Sequence, residues 1–306
     1  MSKSEHEIKR MLDDWYLAMT ADGGLTVSDH TESFGLLAQG VKFHELSFDA
    51  LTMAISASTK FVIWPNGNHF GYFDNYRLWA WCAELLVGAD AKVFSAQEKD
   101  IENLLKLCFN CALVGYGEQA ANREEHEARN NVTFSLPIHS RNFLWKASNI
   151  APYLMLPALE AAAKRFCSEY VDLDGTVRKE FSIGKHDYKP AQPPKTKTCS
   201  KIEHYLLLLR DQIADDRLRN LINIQCADIQ RISGLDAFQT INKWRNSSLH
   251  GSEHYHAIDG AILNMCCLIF VYQLKDTFDT RKQKALQICN HFWSTGTVEW
   301  SFYLKP

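Results

Sequence analysis

Between Ser200 and Lys275 the apolar residues return every three or four positions, and the breaks between the runs are short. Residues three and four apart share one face of a helix, so this pattern predicts helices that bury one stripe each. The first run, Ser200–Asp215, carries Ile202, Tyr205, Leu206 and Leu209, with Ser200 and Glu203 at capping-box spacing. The second, Leu218–Ile232, carries Leu221, Ile222, Ile224 and Ile229 and stops at Gly234; the third, Asp236–His250, stops at Gly251. The fourth, Ser252–Lys275, carries Ile258, Ile262, Cys266, Ile269 and Phe270. Four helices with short connections predict a small bundle.

Upstream the pattern is mixed but mostly helical. Glu7–Met19 places Ile8, Met11, Leu12, Trp15 and Met19 on one face. Helical patterns recur at Arg77–Val87, Gln97–Gly115 and Glu118–Arg129, and at Ala151–Tyr170 with Pro157 inside. Phe61–Phe73, with Asn66-Gly67 in the middle, predicts a β-hairpin, because Asn-Gly supplies the positive φ of a tight turn. Val171–Thr198 gathers Gly175, Gly184, Pro190, Pro193 and Pro194 and predicts a long loop or linker. The alternation of Val298, Trp300, Phe302 and Leu304 predicts a terminal β segment. The expected fold class is therefore mostly α. A helical region over residues 1–150 holds the small hairpin, and a helical bundle over 151–306 follows.

Net charge of −3 argues against a protein that coats nucleic acid through a broad basic surface, but not against one local cationic site. The nine cysteines have no regular spacing, and several lie in apolar helical runs, so they are expected as core residues; Cys108 and Cys111 have C-x-x-C spacing without a second ligand pair. The first residues are too polar for a signal peptide, and the longest apolar run, near Ile262–Tyr272, is too short to span a bilayer. A reduced, cytoplasmic location without a membrane is the expectation.

The chemistry concentrates in Lys243-Trp244-Arg245-Asn246-Ser247-Ser248-Leu249-His250-Gly251. Arginine grips phosphate through parallel hydrogen bonds and stays charged; histidine titrates near neutrality and moves protons. Together they suffice to cut RNA, whose 2′-hydroxyl is its own nucleophile, with no metal or other cofactor. On an unbroken helix a five-residue step turns about 500°, which leaves the two side chains about 140° apart. Ser247-Ser248 and Gly251 favour a helix end or bend that would bring them together.

This stretch resembles the R-x4-6-H motif of the HEPN superfamily. Asn246 follows the arginine, Gly251 follows the histidine, and helices flank both sides. The resemblance covers roughly residues 199–276. It implies a metal-independent endoribonuclease in which Arg245 holds and neutralises phosphate, His250 is general acid and base, and Asn246 orients them. Trp244, Ser247, His254 and Tyr255 would contact RNA. It further implies a homodimer with two motifs in one cleft, a toxin or antiviral-defence role, and an antitoxin or activating partner. The alternative is a non-catalytic module of the same type that binds RNA or a protein.

Other constellations are thinner. His250 and His254 have metal-ligand spacing on a helix. The aromatic stretch Phe61–Trp81 could stack single-stranded RNA or simply fill a core. Phosphate-loop, dinucleotide-binding and nucleophile-elbow motifs are absent from the sequence.

Overall fold

Ser4 opens the first helix. Its hydroxyl accepts the Glu7 N–H while the Glu7 carboxylate accepts the Ser4 N–H at 2.9 Å, so two orphan donors are satisfied. The computed structural model describes residues 3–21, 29–63, 72–116, 123–190, 198–249, 258–297 and 301–303. Among them run α1 (Glu5–Thr20), α2 (Asp29–Glu32), α3 (Phe48–Ala57), α4 (Thr59–Val62), α5 (Tyr72–Val87), α6 (Lys99–Tyr116) and α7 (Arg123–Ser135). The long α8 (Ile138–Phe166) follows, then a hairpin of β1 (Phe181–Ile183) and β2 (His186–Tyr188). The chain ends with α9 (Ile202–Leu208), α10 (Asp216–Ser233), α11 (Ala237–Leu249), α12 (Asp259–Tyr272) and α13 (Phe278–Thr295). The protein is mostly α, with one small antiparallel hairpin among the described residues.

Helix α12 is the axis of the molecule. Every residue from Asp259 to Tyr272 is buried, which is why its apolar residues show no single face. It packs on α3, α4, α5, α8 and α10, so helices from both halves of the chain share one core. The division expected near residue 150 falls inside α8. Asn264, buried in α12, accepts from Trp79 Nε1 at 2.6 Å and donates to Ser58 and Thr59 at 3.2 and 3.3 Å. A buried amide this well satisfied pins α12 against α4 and α5. Gly260 allows the close approach, since a Cβ there would lie 2.6 Å from Val62 Cβ. Among the described residues no single helix is long and apolar enough to cross a membrane.

The hairpin forms where the sequence suggested a linker. Phe181 pairs with Tyr188 and Ile183 with His186, and Gly184 takes the positive φ of +57° that the turn requires. Val171, Val177, Phe181, Ile183 and Tyr188 are buried, so this segment is a packed part of the molecule. The hairpin expected at Phe61–Phe73 is corrected by helices. Phe61 and Val62 belong to α4, Tyr72 opens α5, and the Asn66-Gly67 turn lies outside the described residues. Phe61 stacks on Trp15 with ring centroids 4.4 Å apart, and burial of successive residues hid the helical period.

Three further expectations change. Lys201, not Ser200, is the residue before α9, and no side chain caps that helix. Helix α8 begins just after Pro137, well before Ala151, and carries through Pro152 and Pro157. At the other end, α13 occupies Phe278–Thr295, and Gly296 at φ +73° terminates it. Val298, Trp300 and Leu304 lie outside the described residues, while Tyr303 is buried.

Candidate functional site

Gly234 ends α10 in the left-handed conformation, and Asp236 starts α11 two residues later by accepting the N–H groups of Phe238 and Gln239 at 3.0 and 3.1 Å. Phe238 and Ile241 anchor one face of α11 in the core. Trp244, half-buried, packs at the edge of that core. Arg245, the next residue, points to α8. Its Nε and Nη2 both lie 3.1 Å from Glu160 Oε2, while Lys164 Nζ lies 2.8 Å from Glu160 Oε1. One carboxylate thus holds two cations. The Lys164 ammonium also sits 5.1 Å from the centre of the Tyr205 ring.

These groups line one side of an open cleft of about 320 Å³. Pro152, Tyr153, Leu156 and Pro157 of α8 form its apolar wall, and Ser248 also lines it. Ser248 is buried, and its hydroxyl has no hydrogen-bond partner among the described residues. The exposed side-chain fractions are 28% for Arg245, 16% for Glu160 and 12% for Lys164. The ion pairs are therefore partly shielded from solvent, and the cleft holds one more cation than anion.

An arginine side chain has five N–H donors. Glu160 takes the side-on edge of Arg245, made of Nε and Nη2. The end-on edge, made of Nη1 and the remaining Nη2 hydrogen, makes no bond to a described residue. That edge is shaped for two phosphate oxygens.

The other expected site residues divide. Asn246 is exposed on the outer side of α11 and Ser247 is half-buried. Ser247 and Ser248 both sit inside α11, which continues to Leu249, and the helix end or bend expected toward Gly251 lies outside the described residues. Tertiary packing of α11 overrode the weak helix preference of serine. His250, His254 and Tyr255 lie outside the described residues. Glu160, Lys164, Tyr153 and Ser248 were not anticipated. Glu160 and Lys164 carried only the signature of an i, i+4 ion pair on a helix, which reads as an exposed pair.

Two alternative features resolve into core. Cys108 and Cys111 are buried in α6, and burial pushes both thiols up, which leaves them unreactive. Phe61, Trp79 and Trp81 are fully buried, so these described rings of the Phe61–Trp81 stretch are core packing. Elsewhere, Tyr188 and His204 share a buried 2.6 Å hydrogen bond, and burial lowers the His204 pKa. This pair ties the hairpin to α9. Among the described residues no three His, Cys, Asp or Glu side chains converge to hold a metal. Compared with family models, curated proteins and solved structures, the chain matches none.

Proposed function

We propose that this chain is a metal-independent endoribonuclease of HEPN type, with its chemistry at Arg245 and His250. The observation that carries the reading is the place of Arg245. The arginine of the R-x4-H stretch lines an open cleft, with one edge fixed by Glu160 and the phosphate-shaped edge unbonded. Lys164 supplies a second cation on the same wall.

The reaction needs four events. His250 takes the proton of the 2′-hydroxyl, O2′ bonds to phosphorus, the bond from phosphorus to O5′ breaks, and the leaving oxygen receives a proton from imidazolium. Arg245 neutralises the charge that builds on the non-bridging oxygens. The products are a 2′,3′-cyclic phosphate and a 5′-hydroxyl. Asn246 orients the reacting strand, and Trp244, Ser247, His254 and Tyr255 contact it. The resemblance to HEPN proteins brings with it a homodimer, a cytoplasmic toxin or antiviral role, and an antitoxin or activating partner.

A second reading is favoured by one observation. Glu160 already offsets one of the two cations, which suits a module that holds RNA without cutting it. A substrate with a single 2′-deoxy sugar at the mapped cleavage position tests the first reading. Loss of cleavage at that position alone supports 2′-hydroxyl attack. Continued cleavage there contradicts it.

A further inference from the structure

Helix α8 carries a second feature that the cleft does not explain. Between Glu127 and Glu160 the chain contains no aspartate or glutamate, although the protein as a whole is acidic. The same stretch presents Phe134, Phe143, Trp145 and Tyr153 to solvent, with 57%, 53%, 52% and 48% of their surfaces exposed. Aromatic rings are normally buried, so exposed rings beside unpaired cations mark a binding face; Trp145 and Tyr153 share one side of α8, Phe134 of α7 lies 5.7 Å from Trp145, and Phe143 stands on the far side of α8. Arg141 lies against two of them, 5.7 Å from the Phe134 ring centre and 5.3 Å from that of Trp145. Neither Arg141 nor the exposed Lys146 is paired with a carboxylate among the described residues.

Two of the rings, Trp145 and Tyr153, are aligned with the cleft. Trp145, Asn149, Tyr153, Glu160 and Lys164 fall within about 100° of one another around the helix axis. The eight-residue step from Trp145 to Tyr153 is about 12 Å of helix, and that from Trp145 to Lys164 is about 28 Å. Tyr153 is both an exposed ring of this row and a wall of the Arg245 cleft.

We propose that the outward face of α8 from Arg141 to Tyr153 is a stacking track for single-stranded RNA that leads into the Arg245 cleft. Each base offers a π face to a ring, and the unpaired cations meet the backbone phosphates. At about 3.4 Å per stacked nucleotide, the distance from Trp145 to Lys164 spans roughly eight nucleotides. A bilayer would meet the rings but could not follow the row into the cleft, so the continuity selects a strand. The inference rests on the RNA reading of the cleft and adds which part of the strand is held, and how.

The test uses the full chain and an end-labelled ten-nucleotide RNA with 2′-O-methyl sugars, which resists 2′-hydroxyl attack, followed by fluorescence anisotropy. A three-nucleotide version is the control. Trp145→Leu and Tyr153→Leu should each weaken decamer binding about tenfold, whereas Trp145→Phe should stay within about twofold of the parent protein. Trimer binding should not respond to Trp145→Leu, and Lys146→Gln should lower the salt slope. Decamer binding by both leucine variants that matches the parent protein overturns the track. So does wild-type protein that ignores RNA but sediments with phosphatidylserine vesicles, or a homodimer that Trp145→Leu dissociates with RNA affinity unchanged. Failure of the track and failure of the nuclease separate cleanly. Ring-independent binding with Arg245-dependent cleavage removes only the track. Ring-dependent binding without cleavage of ordinary RNA removes only the nuclease.

Discussion

Glu160→Gln is the substitution that most sharply reads how the cleft works. The carboxylate sits 3.1 Å from two nitrogens of Arg245 and 2.8 Å from Lys164. At an effective dielectric constant of about 20 a unit pair at this separation attracts by roughly 5 kcal/mol before desolvation and side-chain ordering are subtracted. Hydrogen bonds to charged groups retain about 1.5–3 kcal/mol net, against about 0.5–1.5 for neutral ones. Glutamine keeps an acceptor of the same shape, and solvent screens the partly exposed groups, so the expected loss is about 1–2 kcal/mol. In a chain of 306 residues that is a fall in Tm of about 1.5–3 °C.

The same change removes the one negative charge among the three groups of the cleft, so RNA should bind about fivefold tighter with a salt slope steeper by about 0.7. Cleavage should nevertheless slow about tenfold or more, because a neutral amide oxygen fixes the guanidinium's direction less firmly than the carboxylate does. Thermal melting, anisotropy with an uncleavable oligonucleotide and cleavage of ordinary RNA read the three effects separately. Faster cleavage by Glu160→Gln would refute the reasoning, because it would make Glu160 a mask over Arg245 and no positioning residue. An unchanged Tm together with unchanged affinity would show that the pair does not form in solution.

Two further outcomes follow from the core. Gly260→Ala places a Cβ 2.6 Å from Val62 Cβ, so α12 must shift from α4; a loss of about 1–3 kcal/mol in denaturant unfolding is expected, and a neutral result would contradict the packing. Burial raises the Asp74 pKa to about 6 against the opposing N–H bonds from Leu37 and Leu36. A carboxyl that is harder to ionise when folded weakens the fold as pH rises from its unfolded pKa, about 3.9, through 6. Asp74 therefore contributes a gain in stability as pH falls from 7 toward 4, and urea midpoints across that range should lose that part of the gain in Asp74→Asn.

How much of this was legible depends on where each interaction lives. The periodicity of α1 and α10 was written in the chain because each buries one stripe and leaves the other side wet, and Gly234 marked the end of α10 at its left-handed cap. The first half of α8 was not legible. Its exposed rings scatter around the helix, so no apolar face showed, and Pro137 looked like a break although it precedes the first helical residue. Arg245 stood out as a residue type in a pattern. Its partner could not, since Glu160 lies 85 positions away and only the packing of α11 on α8 joins them. The apolar Phe61–Ile63 run was read as a strand because a fully buried helical turn and a buried strand look alike over so few residues.

The central question is whether Arg245 and His250 cut RNA without a metal. The direct measurement is cleavage of a mixed RNA pool in excess EDTA by the wild-type chain, Arg245→Ala and His250→Ala, with analysis of the new ends. The expected result is 2′,3′-cyclic phosphate ends from the wild type and a loss of at least about a hundredfold in both variants. Cleavage that survives His250→Ala, or that EDTA abolishes, would contradict it.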